Sequence, residues 1–289
     1  MKQDTRLLAS SAVVAVTLAA GSAVLFAQWP DYPTAGPRTS DGKVDLTAAP
    51  PRTADGKVDF SGLWEQARGP GRGGKQAKGT PAPAPPPATP AGNDDPPVAQ
   101  FFNIGAGFKE GLPLTPWAAQ VRAQRKGNDN KDNPDAHCLP LGLTQLHMHP
   151  QPRKILQMRQ AIVILYEANG NVRQILMDGR PLPKNDPSPW WYGYSVGHWE
   201  GDTLVVETTG FRDDVWLDVE GSPLTNTGTI TERWRRPTFG SMQIDITVED
   251  PKAYTKPFTV RVNHRLMTDT ELMEFVCEER DAPHYVGKK

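Results

Sequence analysis

The sequence predicts a mainly β fold, an antiparallel meander closing into a lipocalin-like barrel, with a two-sheet β-sandwich as the alternative. Three observations predict it. From Lys154 onward apolar and polar residues alternate with period two, hairpin-like turns separate the runs, and no intervening helix is long enough for a parallel crossover. About eight such strands must close or fold over themselves to hide their edges.

The elements follow in order. Residues 60–65 form a first strand. A helix is expected over 114–126, with Thr115 as cap, Pro116 in the first turn, and Trp117 and Val121 on one face. Residues 128–152 are irregular. Strands are then expected at 160–167 and 172–177 around Asn169-Gly-Asn171, and at 194–199 and 203–209 around Glu200-Gly-Asp202. The remaining four lie at 228–236, 242–249, 258–267 and 272–277.

Ahead of this domain, taken as 99–283 with a tail at 284–289, the chain has a different character. Lys2 and Arg6 precede an uncharged run, 7–26, ending at Ala27, which is the pattern of an export signal over 1–27. A retained anchor is the alternative, since about 20 apolar residues can span a bilayer. No cysteine follows the run to carry a lipid, and no second stretch approaches spanning length, so no stable membrane insertion is expected after cleavage. Residues 28–58 are loop-like and hold a short repeat: Pro37-Arg-Thr-Ser-Asp-Gly-Lys-Val-Asp45 recurs as Pro51-Arg-Thr-Ala-Asp-Gly-Lys-Val-Asp59. After the strand in 59–66, residues 67–98 are rich in Pro and Gly and read as a disordered insert.

Charge and cysteine usage narrow the function. The chain has 32 Lys+Arg against 33 Asp+Glu. Without Lys2, Arg6 and Asp4 the balance is 30 against 32, which gives no electrostatic case for a nucleic-acid partner. Cys138 and Cys277 are the only cysteines. In an exported chain an even count predicts a disulfide. Closing a loop of roughly 140 residues is worth about 5 kcal/mol on the chain-entropy estimate.

Several segments together carry a resemblance: Asp178-Gly-Arg180, Gly197-His-Trp-Glu-Gly-Asp-Thr-Leu-Val-Val206, Thr231-Glu-Arg233 and Asp250-Pro-Lys-Ala-Tyr-Thr-Lys-Pro257. With Asp59 to Trp64 and Glu274 to Cys277, the chain resembles a family of exported bacterial β-rich proteins of unassigned function. Phe258 stands where that pattern usually has Trp. The resemblance implies a shared secreted β fold and transfers no catalytic residue.

Alternation also singles out polar residues in apolar company. Glu232 shares a strand face with Ile230 and Trp234, and His264 shares one with Val260, Val262 and Leu266. In a hollow barrel they would be candidate catalytic groups, an acid–base pair with the carboxyl raised by burial and the imidazole near neutral. The competing reading is a buried pair satisfied by Arg, Tyr or backbone groups. His147 and His149, two apart, would face the same way on a strand and form a weak metal candidate needing a third ligand from His137, Asp135 or His264. No metal or other cofactor is predicted. Trp190, Trp191, Tyr192 and Trp234, with Asp178 and Arg180, are candidate ligand-binding residues at a cavity mouth, suited to a flat apolar or sugar ligand. Asp178-Gly-Arg180 and Glu200-Gly-Asp202 otherwise read as turns whose acids bond backbone amides. No Gly-x-Ser-x-Gly, dinucleotide or phosphate-loop motif occurs, and Ser195 lies on a strand.

The expected function is small apolar or aromatic ligand binding in a barrel cavity. The alternatives are a periplasmic lyase, isomerase or hydrolase using Glu232 and His264, and an envelope interaction protein using the Pro-rich insert.

Overall fold

In a computed structural model, which describes residues 32–67, 95–184 and 189–277, nine strands close into one barrel. They are β1 (Gly62–Gln66), β2 (Arg153–Gln157), β3 (Ala161–Tyr166), β4 (Val172–Leu176), β5 (Tyr194–Glu200), β6 (Thr203–Thr209), β9 (Thr229–Thr238), β10 (Ser241–Glu249) and β11 (Phe258–Leu266). Two-residue strands β7 (Val215–Trp216) and β8 (Pro223–Leu224) pair as a separate ribbon. The expected export signal, 1–27, and most of the Pro-rich insert, residues 68–94, lie outside the described residues.

Round the barrel the order is β1-β11-β10-β9-β6-β5-β4-β3-β2, closed by β1 pairing with both β11 and β2. The barrel is mixed, which corrects the purely antiparallel expectation: Ile175 and Leu176 of β4 pair in parallel with Ser195 and Val196 of β5. The 177–193 connection is long enough to return the chain to the same end. Two further corrections concern element identity. Residues 272–277 are irregular rather than a strand, and residues 153–157, left without a strand in the sequence reading, form β2.

Helix α1 (Pro116–Gly127) starts where expected, with Thr115 Oγ1 accepting from the Ala118 amide at 3.2 Å. Its buried residue is Ala118, while Trp117 is 39% exposed under Lys252. The sequence pattern missed α2 (Leu143–Met148), every residue of which is buried. A Cβ on Gly142 would lie 1.9 Å from the Trp216 carbonyl oxygen, so only glycine lets α2 approach β7 so closely. Thr144 then donates to the Leu217 carbonyl at 2.6 Å.

Alternation sorts the two faces. Ile155, Ile162, Ile164, Ile175, Leu204, Val206, Ile244, Ile246 and Val260 point inward and are 0–1% exposed. The outer face carries charge: Arg261 bridges Asp245 and Asp95, Arg235 also pairs with Asp245, and Arg265 pairs with Glu65. A lipid-facing barrel would carry an apolar band there instead. Residues 97–99, counted in or beside the insert, bond along β11 through Ala99 N to Arg261 O and Arg261 N to Pro97 O, so the insert's last residues are part of the fold.

The two repeats fold alike. Arg38 bridges Val44 as Arg52 bridges Val58, and Gly42 and Gly56 share φ of +81°. Arg52 of the second copy clamps Asp202 through two bonds of 2.8 and 2.6 Å.

Cys138 and Cys277 are bonded, tying the residue after the short 3₁₀ turn Pro134–His137 to the end of the described chain. Reduction is expected to remove up to about 5 kcal/mol. Urea unfolding with and without dithiothreitol measures it, and coincident midpoints would contradict it.

Candidate functional site

Glu232 and His264 both point into the barrel, as alternation requires, and both are buried. They do not form a direct pair. Across β10, Glu232 lies level with Val260, and His264 is four residues farther along β11. A residue of α2 links them. His147 Nε2 lies 2.6 Å from Glu232 Oε1, and the His147 carbonyl lies 2.9 Å from His264 Nε2.

Inward residues from seven strands converge on this linker. Arg173 of β4 grips both Glu232 oxygens, one through Nη1 at 3.1 Å and the other through Nη2. It also donates to Ser195 of β5 and Thr208 of β6, at 3.1 and 3.2 Å. Arg153 of β2 donates to the carbonyls of His147 and His149, both at 2.7 Å, and contacts His264 Nε2 at 2.7 Å. A guanidinium at a helix C-terminus satisfies the orphan carbonyls and meets the negative end of the dipole. Arg153 therefore pins α2, and Tyr166 of β3, opposite Arg153, completes the layer.

Charge follows from this geometry. Burial pushes the Glu232 carboxyl up, but the Arg173 charge and the His147 contacts outweigh it and leave the group at about 2. The expected rise is thus reversed. Burial holds His147 below its usual range despite Glu232, so its Nε2–H serves as a neutral donor. His264 is pushed well down by burial and by Arg153; its Nε2 lies within hydrogen-bond distance of both the Arg153 guanidinium, a donor, and the His147 carbonyl, an acceptor. Burial also lowers His149 to about 3 and Arg153 to about 10.

The interior is filled. Glu232, Trp234, Trp64 and Phe60 are all 0% exposed, so no water-sized sphere reaches them, and the expected central cavity is replaced by packed side chains. Phe60 packs edge-on to Trp234 and stacks on Trp199 at 6.0 Å. Trp234, a candidate ligand contact, belongs to this core.

The other candidates divide. His147 and His149 do not face one way: His147 enters the barrel, whereas the His149 ring packs edge-on to Phe101 at 4.9 Å and its Nδ1 accepts from the Gln151 amide. The pair sits on a helix end rather than a strand, which removes the shared direction. Among the described residues no group of three or more His, Cys, Asp or Glu side chains is placed to hold a metal. His137 binds the Lys131 carbonyl at 2.7 Å and Asp135 accepts from Asn169. Asp178 and Arg180 form an exposed ion pair at a turn, with Arg180 also donating to Tyr194 OH, the ring beside Trp190. The acids of Glu200-Gly-Asp202 pair with Arg233 and Arg52 instead of bonding turn amides.

Among the described residues, two outer clefts are lined by neither Glu232 nor His264. One, of about 310 Å³, lies between α1 and the segment before α2, with Trp191, Trp216, Arg125, Asp132, His137 and Asp214 on its walls. Arg125 lies 4.5 Å over the Trp216 ring and is lowered to about 10 by burial. Arg212 covers Trp191 at the same distance. The other, of about 480 Å³, lies between 165–172 and 272–277 beside the disulfide. Of the aromatic run, Trp191 alone reaches a cleft wall; Trp190 is 49% exposed and Tyr192 half-buried.

Comparison with protein families, with curated proteins and with solved structures finds no match for this chain. The site is therefore read from its own chemistry.

Acid should unfold this site in two stages. The three buried histidines have folded values below the unfolded 6.5, so their contribution is full above pH 6.5 and lost as pH falls. The slope reaches about 1.4 kcal/mol per pH unit for each histidine. Glu232 adds a second loss from pH 4.5 towards 2. Urea midpoints from pH 7.5 to 4 measure the first stage, and a flat profile would contradict it. Glu232→Gln, which leaves Arg173 uncompensated, should cost about 3–5 kcal/mol at pH 7.

Proposed function

We propose that this protein binds a small aromatic ligand in the outer cleft walled by Trp191 and Trp216, rather than inside the barrel. The observation that carries the reading is the partly exposed Trp191 indole in a cleft of about 310 Å³, with the Arg125 guanidinium on the same wall stacked over the buried Trp216 ring. Flat rings gain area and edge or stacking contacts on indoles, while a few convergent polar groups orient them. Arg125 spends one Nη1 bond on the Gly221 carbonyl at 3.1 Å, and its delocalised charge suits a planar carboxylate. Asp132 and Asp214 lie on the same walls and suit ligand hydroxyls.

Calorimetric titration with 4-hydroxybenzoate should give saturable binding. Trp191→Ala should abolish it, and Arg125→Gln should weaken it about tenfold or more. Binding unchanged in Trp191→Ala would overturn the reading. Glu232→Gln, provided it folds, should leave affinity near wild type, because Glu232 is remote from the cleft walls. An enzyme of the kind that uses Glu232 for proton transfer would instead lose turnover about 100-fold. That alternative has less support, since Glu232 is sealed from solvent.

Export is part of the same proposal. The N-terminal pattern and the disulfide support it. Cell fractionation with intact mass should find the chain outside the cytoplasm and lacking residues 1–27; a cytoplasmic full-length product would count against it. The interaction reading for the insert is tested by deleting 68–94 alone, since 97–99 bond to β11.

A further inference from the structure

We infer that the second cleft, under the disulfide-tied segment 272–277, is a separate binding site for an uncharged amphiphile with an apolar chain and one hydrogen-bond acceptor. Three observations converge there. The first is apolar exposure: Val172, Met273 and Val276 are 51%, 58% and 71% exposed and all line this one cleft. Large side chains so exposed are ordinary when scattered, but gathered on a concave wall they mark a site. The second is an orphaned donor. Asn171 also lines the cleft, is 8% exposed, and its Nδ2 has no hydrogen-bond partner among the described residues. A buried amide left unpaired costs free energy that a ligand acceptor would recover. The third is charge. Glu167, half-buried on the same wall with its carboxyl raised by burial, lies 3.5 Å from the Gln151 side-chain amide nitrogen. An ionised carboxylate disfavours an anionic head group beside it, which selects an uncharged ligand such as a ketone or ester over a fatty acid.

The cleft is also bounded. Cys277–Cys138 holds one end of the segment, and the Lys154–Glu271 ion pair at 2.7 Å holds the other. At about 480 Å³ the space falls in the range of small-molecule pockets.

The test titrates 2-decanone and decanoate into the full-length oxidised protein by calorimetry. The ketone should bind saturably and about tenfold or more tighter than decanoate, and Glu167→Gln should narrow that gap. Val172→Asp should abolish ketone binding. Should Val172→Asp fail to fold, Met273→Asp, on the exposed segment, serves instead and should also abolish it. Asn171→Asp, which exchanges the donor for an acceptor, should weaken it about tenfold. No saturable ketone binding, equal affinity for the carboxylate, or a bound ketone indifferent to both apolar substitutions would overturn the assignment. Ketone binding that appears only after truncation beyond Cys277 would overturn it in favour of the chain's own residues 278–289 as occupant.

Discussion

A carboxylate with no exposed surface must be compensated where it sits, and the polar layer of this barrel is organised around that requirement. Glu232 is held by Arg173 on one side and by His147 on the other. Arg173 is itself oriented by Ser195 and Thr208, so one charge fixes the positions of β4, β5, β6 and β9. His147 can reach Glu232 only because α2 lies against the inward face. α2 lies there because Gly142 admits β7 and Arg153 neutralises the helix end. Removing any one group would leave a buried charge or a row of carbonyls unpaired, which costs more than the contact itself contributes.

How much of this was legible depended on whether a residue advertised itself by periodicity. Strands β9 and β11 repeat every two residues over eight or more positions, and alternation placed Glu232 and His264 inward correctly. The same rule applied to β2 and β4 would have put Arg153 beside Ile155 and Arg173 beside Ile175, the missing charges of the network. β2, of five residues, was too short for its pattern to stand out, whereas β4 was expected as a strand over 172–177 without its face being followed to Arg173. α2 has six residues, all buried, so it shows no amphipathic stripe at all. The His-x-His spacing suggested a strand-like pair, whereas the real signals were Gly142 before the helix and an arginine after it. The cysteine pair needed no geometry, because an even count of two leaves one pairing.

The aromatic run shows a different limit. Trp190, Trp191 and Tyr192 are consecutive, yet one is exposed, one reaches a cleft and one is half-buried. Outside a regular strand, adjacency in sequence carries no information about shared direction. Trp64, Phe60 and Trp234 fill the interior, and loops, α1 and the segment 272–277 build concavities on the outer surface.

The seam of the barrel is formed by its first and last strands: Trp64 of β1 lies opposite Leu266 of β11, some two hundred residues apart in sequence. A chain emerging from the ribosome or a translocation pore therefore cannot zip the cylinder shut until nearly its whole length is available. Before that moment the edges of β1 and β11 stand open, competent to pair with strands of neighbouring chains. Late joining of distant ends also makes folding slow relative to the hairpins within it. This late closure follows from the strand order alone.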